Sequence, residues 1–209
     1  AGAHCTVPYR HAEQAQRIAH RDHPHLTLIA TGDLADEAAV AKLYDELPAM
    51  TSIWASIHIA GGFATGDVAD TDKAALMAQI DGNLVSCFLC CRAAVRVMLA
   101  AGNGGRIVNV AARPALEQRS GSGMSAYTIA KSGVVALTVA LAEEVARDGI
   151  LVNAVAPSIM DTAANRQAMP KANFDSWSKV EEVAATMLFL ASPDNKVTRG
   201  AVVPVYGKA

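Results

Sequence analysis

Gly149-Ile150-Leu151-Val152-Asn153-Ala154-Val155-Ala156-Pro157 is the stretch on which the fold turns. Between its glycine and its proline, Asn153 is the one polar residue, so the segment has no polar face to offer water. A strand of this kind is buried on both sides, which is the pattern of a parallel sheet covered by helices. Residues 125–148 read as a long helix that Gly149 closes, and Pro157 ends the strand.

The same alternation runs outward in both directions. A short β-like run begins near His4 and closes at Val7, and residues 12–21 read as a helix. Leu26–Ala30 is an apolar strand, 37–47 a helix stopped by Pro48, and 53–60 an Ile-rich strand. A long helical region covers 73–101, with Gly102 placed to end it as a C′ glycine. Residues 106–110 form a strand. Ser178-x-x-Glu181 reads as a capping box opening a helix to Ala191, and 201–206 is a last strand. The expectation is an α/β chain, a doubly wound parallel sheet with helices on both faces, forming one domain over residues 1–209. The polar, poorly periodic residues 161–177 read either as a lid or as an ordinary surface excursion.

Tyr127 and Lys131 are four apart in Ser125-Ala126-Tyr127-Thr128-Ile129-Ala130-Lys131. On a helix that spacing puts both on one face. An ammonium there is expected to lower the pKa of the phenol and ready it for proton exchange near neutral pH. A phenol so tuned protonates a carbonyl oxygen while a hydride arrives at the carbon.

Composition excludes several classes of function. A net charge of −2 with scattered Lys and Arg makes no case for nucleic acid or an anionic membrane surface. Aromatics at 5% supply no base-stacking surface. No apolar run is read as membrane-spanning, and the start at Ala1 has no signal-peptide pattern, so a cytoplasmic location is expected. Three of the four cysteines, Cys87, Cys90 and Cys91, crowd one apolar helix and read as small buried thiols. Cys87-x-x-Cys90 has redox spacing without the strand-turn context, and no metal site is expected. His20, His23 and His25 read as surface histidines, and Asp67, Asp70 and Asp72 as a polar loop and helix start. Asn109 and Asn153 read as structural, satisfying backbone beside the sheet.

Taken in order, several motifs resemble the short-chain dehydrogenase/reductase family along essentially the whole chain. They are Gly32-Asp33-Leu34, Ala60-Gly61-Gly62, Asp81-Gly82-Asn83-Leu84, Gly105 to Val110, the Tyr127/Lys131 pair, Gly149 to Pro157 and a C-terminal strand ending at Gly207. A lone Tyr-x-x-x-Lys is weak, but the ordered set is specific. Within the family, Ala60-Gly61-Gly62-Phe63 and residues 160–170 look like the quinoid dihydropteridine reductase branch. The resemblance implies Tyr127 as the catalytic acid/base and Lys131 as its electrostatic partner, also touching the nicotinamide ribose. Asn83 matches the asparagine that holds a proton-relay water. Asp33 and Leu34 fall near the adenine, and Ala60 and Gly61 line the cofactor cleft. Pro157, Ile159 and Thr162 match the segment over the nicotinamide amide and pyrophosphate.

The departures matter equally. Ala111 and Ala112 stand where the family usually has Ser-Ser. The missing hydroxyl removes a donor to the substrate carbonyl, worth roughly 1–3 kcal/mol in a buried site. The quinoid dihydropteridine reductase branch lacks that serine too. Ser120, Ser122 and Ser125 are candidate replacements. His58-Ile59-Ala60-Gly61 stands for the usual Asn-Asn-Ala-Gly. The family's opening strand, glycine-rich turn and helix have no counterpart, a segment of about 30 residues on the scale of a βαβ unit. Gly2 to Val7 resembles the second strand instead, and loss of the central first strand is expected to leave its neighbours unpaired. By alignment Tyr9 and Arg10 sit where a carboxylate would select NAD, and the Arg10 guanidinium suits the 2′-phosphate of NADP. NADP is thus favoured, with NAD the other option.

The resulting expectation is hydride transfer to a small carbonyl or imine substrate, in a homodimer or homotetramer built on the two long helices. The alternative is a non-catalytic truncated relative, unable to hold a dinucleotide and acting as a binding or assembly partner.

Overall fold

Strands and helices alternate along the computed structural model, which describes residues 2–47 and 53–208. The strands are β1 (Cys5–Tyr9), β2 (Leu26–Ala30), β3 (Ala55–His58), β4 (Gly105–Val110), β5 (Ile150–Pro157), β6 (Met160–Asp161), β7 (Ser178–Lys179) and β8 (Val202–Val205). The α-helices are α1 (Ala12–Arg17), α2 (Glu37–Asp45), α3 (Lys73–Ile80), α4 (Ser86–Ala101), α5 (Arg113–Leu116), α6 (Ser125–Glu144), α7 (Ala163–Ala168) and α8 (Val180–Ala191). Helix α1 stops at Arg17, short of the expected 21, and β1 runs on to Tyr9. Pro48 lies outside the described residues.

The main sheet has the parallel order β3-β4-β5-β8. β5, fully buried along its length, is its centre, as its unbroken apolar run requires. Successive residues serve opposite faces. Ile107, Ile150, Val152 and Ala156 pack with Cys91, Met98, Val134 and Leu141 of α4 and α6. Val108 and Val155 pack with Val183 and Leu190 of α8 on the other side. Asn153 behaves as expected: its amide donates to Thr198 O at 2.8 Å and accepts from Ala201 N at 3.0 Å.

β1 and β2 form a separate parallel pair, and no ladder joins β1 to β3 among the described residues. The free edge of β3 leaves Ile57 and Ile59 exposed. The break falls where chain order reverses from β2-β1 to β3-β4-β5-β8, the switch point of an open α/β sheet.

Three expectations about the helices change. Lys73–Ala101 is one helical rod, but Asp81–Val85 within it is a π turn, closed by Ser86 N–H donating to Asp81 O. By length and mean hydropathy, Lys73–Ala101 (1.9) and Ser125–Glu144 (1.4) would also suffice to cross a membrane, contrary to the expectation of no such run. Each buries an apolar stripe against the sheet, which explains the same composition in a core helix. Gly102 takes the left-handed C′ conformation as expected, with φ 66°. The N-cap of α8 is Lys179, not Ser178. Its backbone N–H donates to Glu182 at 2.8 Å, while the Ser178 hydroxyl donates to Val205 O at 3.0 Å.

Candidate active site

The carboxyl ends of the parallel strands bring the candidate residues to one edge of the sheet. Helix α6 carries Tyr127 and Lys131 on consecutive turns, with the Lys131 ammonium 5.9 Å from the centre of the Tyr127 ring. Lys131 is 6% exposed, and its Nζ donates to Val110 O at the end of β4 at 2.8 Å. Among the described residues no carboxylate pairs with it. Burial therefore pulls its pKa down to about 8, with Cys87 acting in the opposite direction. Burial raises the Tyr127 phenol above its ordinary value. This corrects the expectation that Lys131 holds the phenol low: in the chain alone, desolvation decides.

The loop after β3 reaches the same place. Gly66 N–H donates to Gly123 O at 2.8 Å, stitching this loop to the entrance of α6. Phe63 stands edge-on to Tyr127, ring centres 5.0 Å apart and planes at 89°. Asn83, 2% exposed in the π turn, clamps Gly62 from both sides. Its amide nitrogen donates to Gly62 O at 3.0 Å, and its oxygen accepts from Gly62 N at 3.2 Å. The side chain of Asn83 is thus a loop clamp. A Cβ on Gly61 would lie 2.5 Å from Asn83 Oδ1 and 3.5 Å from Lys131 Nζ, so only glycine passes between them. Gly133 of α6 similarly admits Leu84, whose Cδ2 would be 2.6 Å from an added Cβ, and so lets the π turn approach the helix that carries Tyr127 and Lys131. A glycine in a helix interior was the sequence signal for that contact.

The adenosine-end candidates lie beyond β1 and β2. Arg10 Nη1 is 2.9 Å from Asp33 Oδ2, both side chains about half exposed, and Asp33 Oδ1 also accepts from Ala35 N at 3.0 Å. Leu34 is partly buried, Ala60 is exposed, and Pro157 is buried at the end of β5. Ile159 is 38% exposed. Thr162 caps α7, its oxygen accepting from Asn165 N at 3.2 Å, which leaves its own O–H to donate.

The nicotinamide-ribose and adenosine ends fit a dinucleotide: an ammonium with no carboxylate partner, a gap that only glycine can line, and a guanidinium at the far end. The pyrophosphate position fits less well. β1 leads through Arg10 and His11 into the six-residue α1, with no glycine-rich turn among the described residues.

Ala111 and Ala112 are buried after β4 and offer no hydroxyl. The Ser120 hydroxyl donates to Glu117 O at 2.8 Å. Ser122 and Ser125 line a separate open depression of about 390 Å³ that none of Tyr127, Lys131 and Asn83 lines. Asn109 does not serve backbone as expected. Its oxygen meets His58 Nδ1 at 2.9 Å and its amide donates to Thr138 at 3.0 Å. Residues 161–177 are anchored at both ends: β6 pairs with β7, and Asp161 is gripped by Arg166 and Lys179. Those two cations hold its carboxyl well below the usual range.

Comparison with known proteins agrees with this geometry. The profile of the enoyl-(acyl carrier protein) reductase family matches residues 1–207. Galactitol 2-dehydrogenase of Rhizobium johnstonii is 33% identical over 98% of this chain and 84% of its own. Cis-4-hydroxycyclohexanecarboxylate dehydrogenase of Sinomonas cyclohexanicum is 35% identical, over 94% and 82%. A solved structure of ElxO with NADP bound superposes with a TM-score of 0.87 at 25% identity, over 98% of this chain and 87% of that one. A crystal structure of a putative gluconate dehydrogenase from Agrobacterium tumefaciens gives 0.88 at 26%, over 99% and 85%. The chain belongs to the short-chain dehydrogenase/reductase family of oxidoreductases. These comparisons show the family and do not bear on the narrower likeness to the quinoid dihydropteridine reductase branch.

Proposed function

We propose that this protein is an NADP-dependent oxidoreductase that interconverts a small carbonyl or imine compound with its reduced form, with Tyr127 as acid/base. The observation that carries this reading is the convergence of Tyr127, Lys131 and the Asn83-clamped Gly61-Gly62 at the strand ends. A bound nicotinamide would supply or take the hydride. Tyr127 gives its phenolic proton to the substrate oxygen or nitrogen and takes it back in the reverse direction. Lys131, fixed by the Val110 carbonyl, faces the ribose and sets a positive charge on the side of the phenolate left behind, opposing the burial that raises the phenol. Arg10 favours the 2′-phosphate, with Asp33 and Leu34 beside the adenine. Ala60, Pro157, Ile159 and Thr162 line the remainder of the cleft. The relay through Asn83 to solvent belongs to the same reading.

The exposed apolar residues Phe88 and Leu99 of α4 and Ile129 and Val139 of α6 support a homodimer or homotetramer built on these helices. A single-chain mass by light scattering would refute that assembly. Four free thiols suit a reducing cytoplasm.

The deciding experiment is fluorescence titration with NADPH and NADH, followed by a substrate screen with Tyr127→Phe as control. Micromolar NADPH binding and turnover lost in the variant support the proposal. Full turnover in the variant removes Tyr127 from the role. The second reading, a non-catalytic binding or assembly partner, rests on the edges of β1 and β3 that are unpaired among the described residues and on the alanines at 111 and 112. Failure to bind either dinucleotide at millimolar concentration would favour it.

A further inference from the structure

His58 at the end of β3 and Cys87 and Cys91 of α4 bring Nδ1 and two Sγ atoms within 4.8 Å of one another. We propose that these three residues form a binding site for a thiophilic divalent cation, zinc(II) in the first place, lying beneath the catalytic lysine.

The sequence pattern drew attention to Cys87 and Cys90, but helix geometry pairs Cys87 with Cys91, one turn on. A covalent bridge between those two is the competing fate. It is disfavoured because i,i+4 positions hold their Cβ atoms about 5–6 Å apart, whereas a disulfide needs about 3.5–4.5 Å. One ion held between both sulfurs needs no such approach. With metal–sulfur bonds of about 2.3 Å and metal–nitrogen bonds of about 2.0 Å, a tetrahedral ion sets a sulfur–sulfur edge of roughly 3.8 Å and sulfur–nitrogen edges of roughly 3.5 Å. Cys91 Sγ to His58 Nδ1 is 3.4 Å. With every pair already inside 4.8 Å, no pair has to move by more than about 1.3 Å.

The surroundings are those of a built site. Cys87 and Cys91 are 5% and 1% exposed, and His58 is half-buried, giving the cluster an opening on the β3 side. Asn109 Oδ1 faces the same point, 2.9 Å from His58 Nδ1 and 3.4 Å from Cys91 Sγ. Its own amide is fixed by Thr138, so the oxygen cannot turn away. It is placed to complete the coordination as a fourth, oxygen ligand. The Ser56 hydroxyl, 2.8 Å from His58 Nε2, holds the other side of the ring. Two thiolates cancel the charge of a divalent ion, so the site is neutral where an isolated buried charge would be costly. Binding releases the protons of the ligand atoms to solvent and changes no oxidation state.

The test uses the full chain, reduced and dialysed against chelator, in a Cys5→Ser/Cys90→Ser background that removes the other thiols. Cobalt(II) is the optical probe and zinc(II) the competitor. The expected result is one cobalt per chain, with thiolate-to-metal charge-transfer absorption and tetrahedral ligand-field bands, both abolished by one equivalent of zinc. Zinc should also raise Tm. Cys87→Ser and Cys91→Ser should each lose the charge-transfer band, and His58→Asn should weaken binding while circular dichroism stays native. Absence of binding in the reduced, folded chain would overturn the proposal, as would binding that survives the Cys87→Ser/Cys91→Ser double variant. Retention of copper alone would overturn the zinc assignment. None of these readouts depends on dinucleotide turnover, so the site stands or falls apart from the proposed reaction.

Discussion

Arg10 and Asp33, the two charged residues assigned to the adenosine end of the cofactor, meet each other: Nη1 to Oδ2 is 2.9 Å. The carboxylate holds the guanidinium at the mouth of the β1/β2 edge and partly neutralises it. A pair this exposed is worth little to stability, so its consequences are for ligand choice. Arg10→Ala should weaken NADPH binding by about tenfold or more, the scale of a lost charge-assisted hydrogen bond. NADH binding should change little. Asp33→Asn, which frees Arg10, should shift preference further toward NADPH. Parallel fluorescence titrations decide it, and equal losses for both dinucleotides in Arg10→Ala would refute the 2′-phosphate role.

Lys131 sets a pH limit. Its folded pKa is about 8 against an ordinary 10.5, because burial penalises the charge. Reductive turnover should therefore fall as pH rises through about 8, roughly tenfold per unit once the ammonium is lost. Stability moves the other way. Between about 8 and 10.5 the unfolded chain binds more protons, so stability rises with pH there, while below 8 the burial penalty is full. That penalty is roughly 3 kcal/mol by linkage. Lys131→Met should lose turnover and gain denaturation midpoint at pH 7. A variant with unchanged pH–stability slope between 8 and 10 would contradict this.

Gly61 tests the clamp. Alanine there would put its Cβ 2.5 Å from Asn83 Oδ1, forcing Asn83 off Gly62 or the loop off Tyr127. Overpacking of this kind typically costs about 1–3 kcal/mol. Gly61→Ala should lower Tm and weaken dinucleotide binding together. Gly62→Ala, whose Cβ meets nothing within 4 Å, should leave Tm near the parent value.

Asp161 tests the anchoring of residues 161–177. Asp161→Asn loses its charge pairing with both Arg166 and Lys179. Limited proteolysis should then cut between 162 and 176 faster than in the parent chain. Unchanged cleavage would show that Trp177, 5% exposed and 4.8 Å from Phe174 between ring centres, holds the segment alone.

What the sequence determined follows from local rules. The run 150–156, apolar except for Asn153 and bounded by Gly149 and Pro157, has the length of a strand buried on both faces, so it pointed to a parallel sheet with helical layers. Gly102 and Gly149 marked helix ends because their left-handed conformations favour glycine. The i,i+4 spacing put Tyr127 and Lys131 on one side of α6. Tertiary structure decided what depends on contacts far apart in the chain. The direction of the Tyr127 pKa came from burial, which no spacing encodes. The π turn at Asn83 was invisible because one extra residue in a single turn leaves no local pattern to separate it from the helix on either side, and only the clamp on Gly62 distinguishes it. Lys179 displaced Ser178 as the cap because β6 and β8 claim the serine's strand and its hydroxyl. Cys91 displaced Cys90 as the partner of Cys87 because a helix turns 3.6 residues at a time, and His58 reached them only when β3 paired with β4. Local propensity fixes elements, but chemistry at a site needs atoms brought together across the sheet, and that is set by packing.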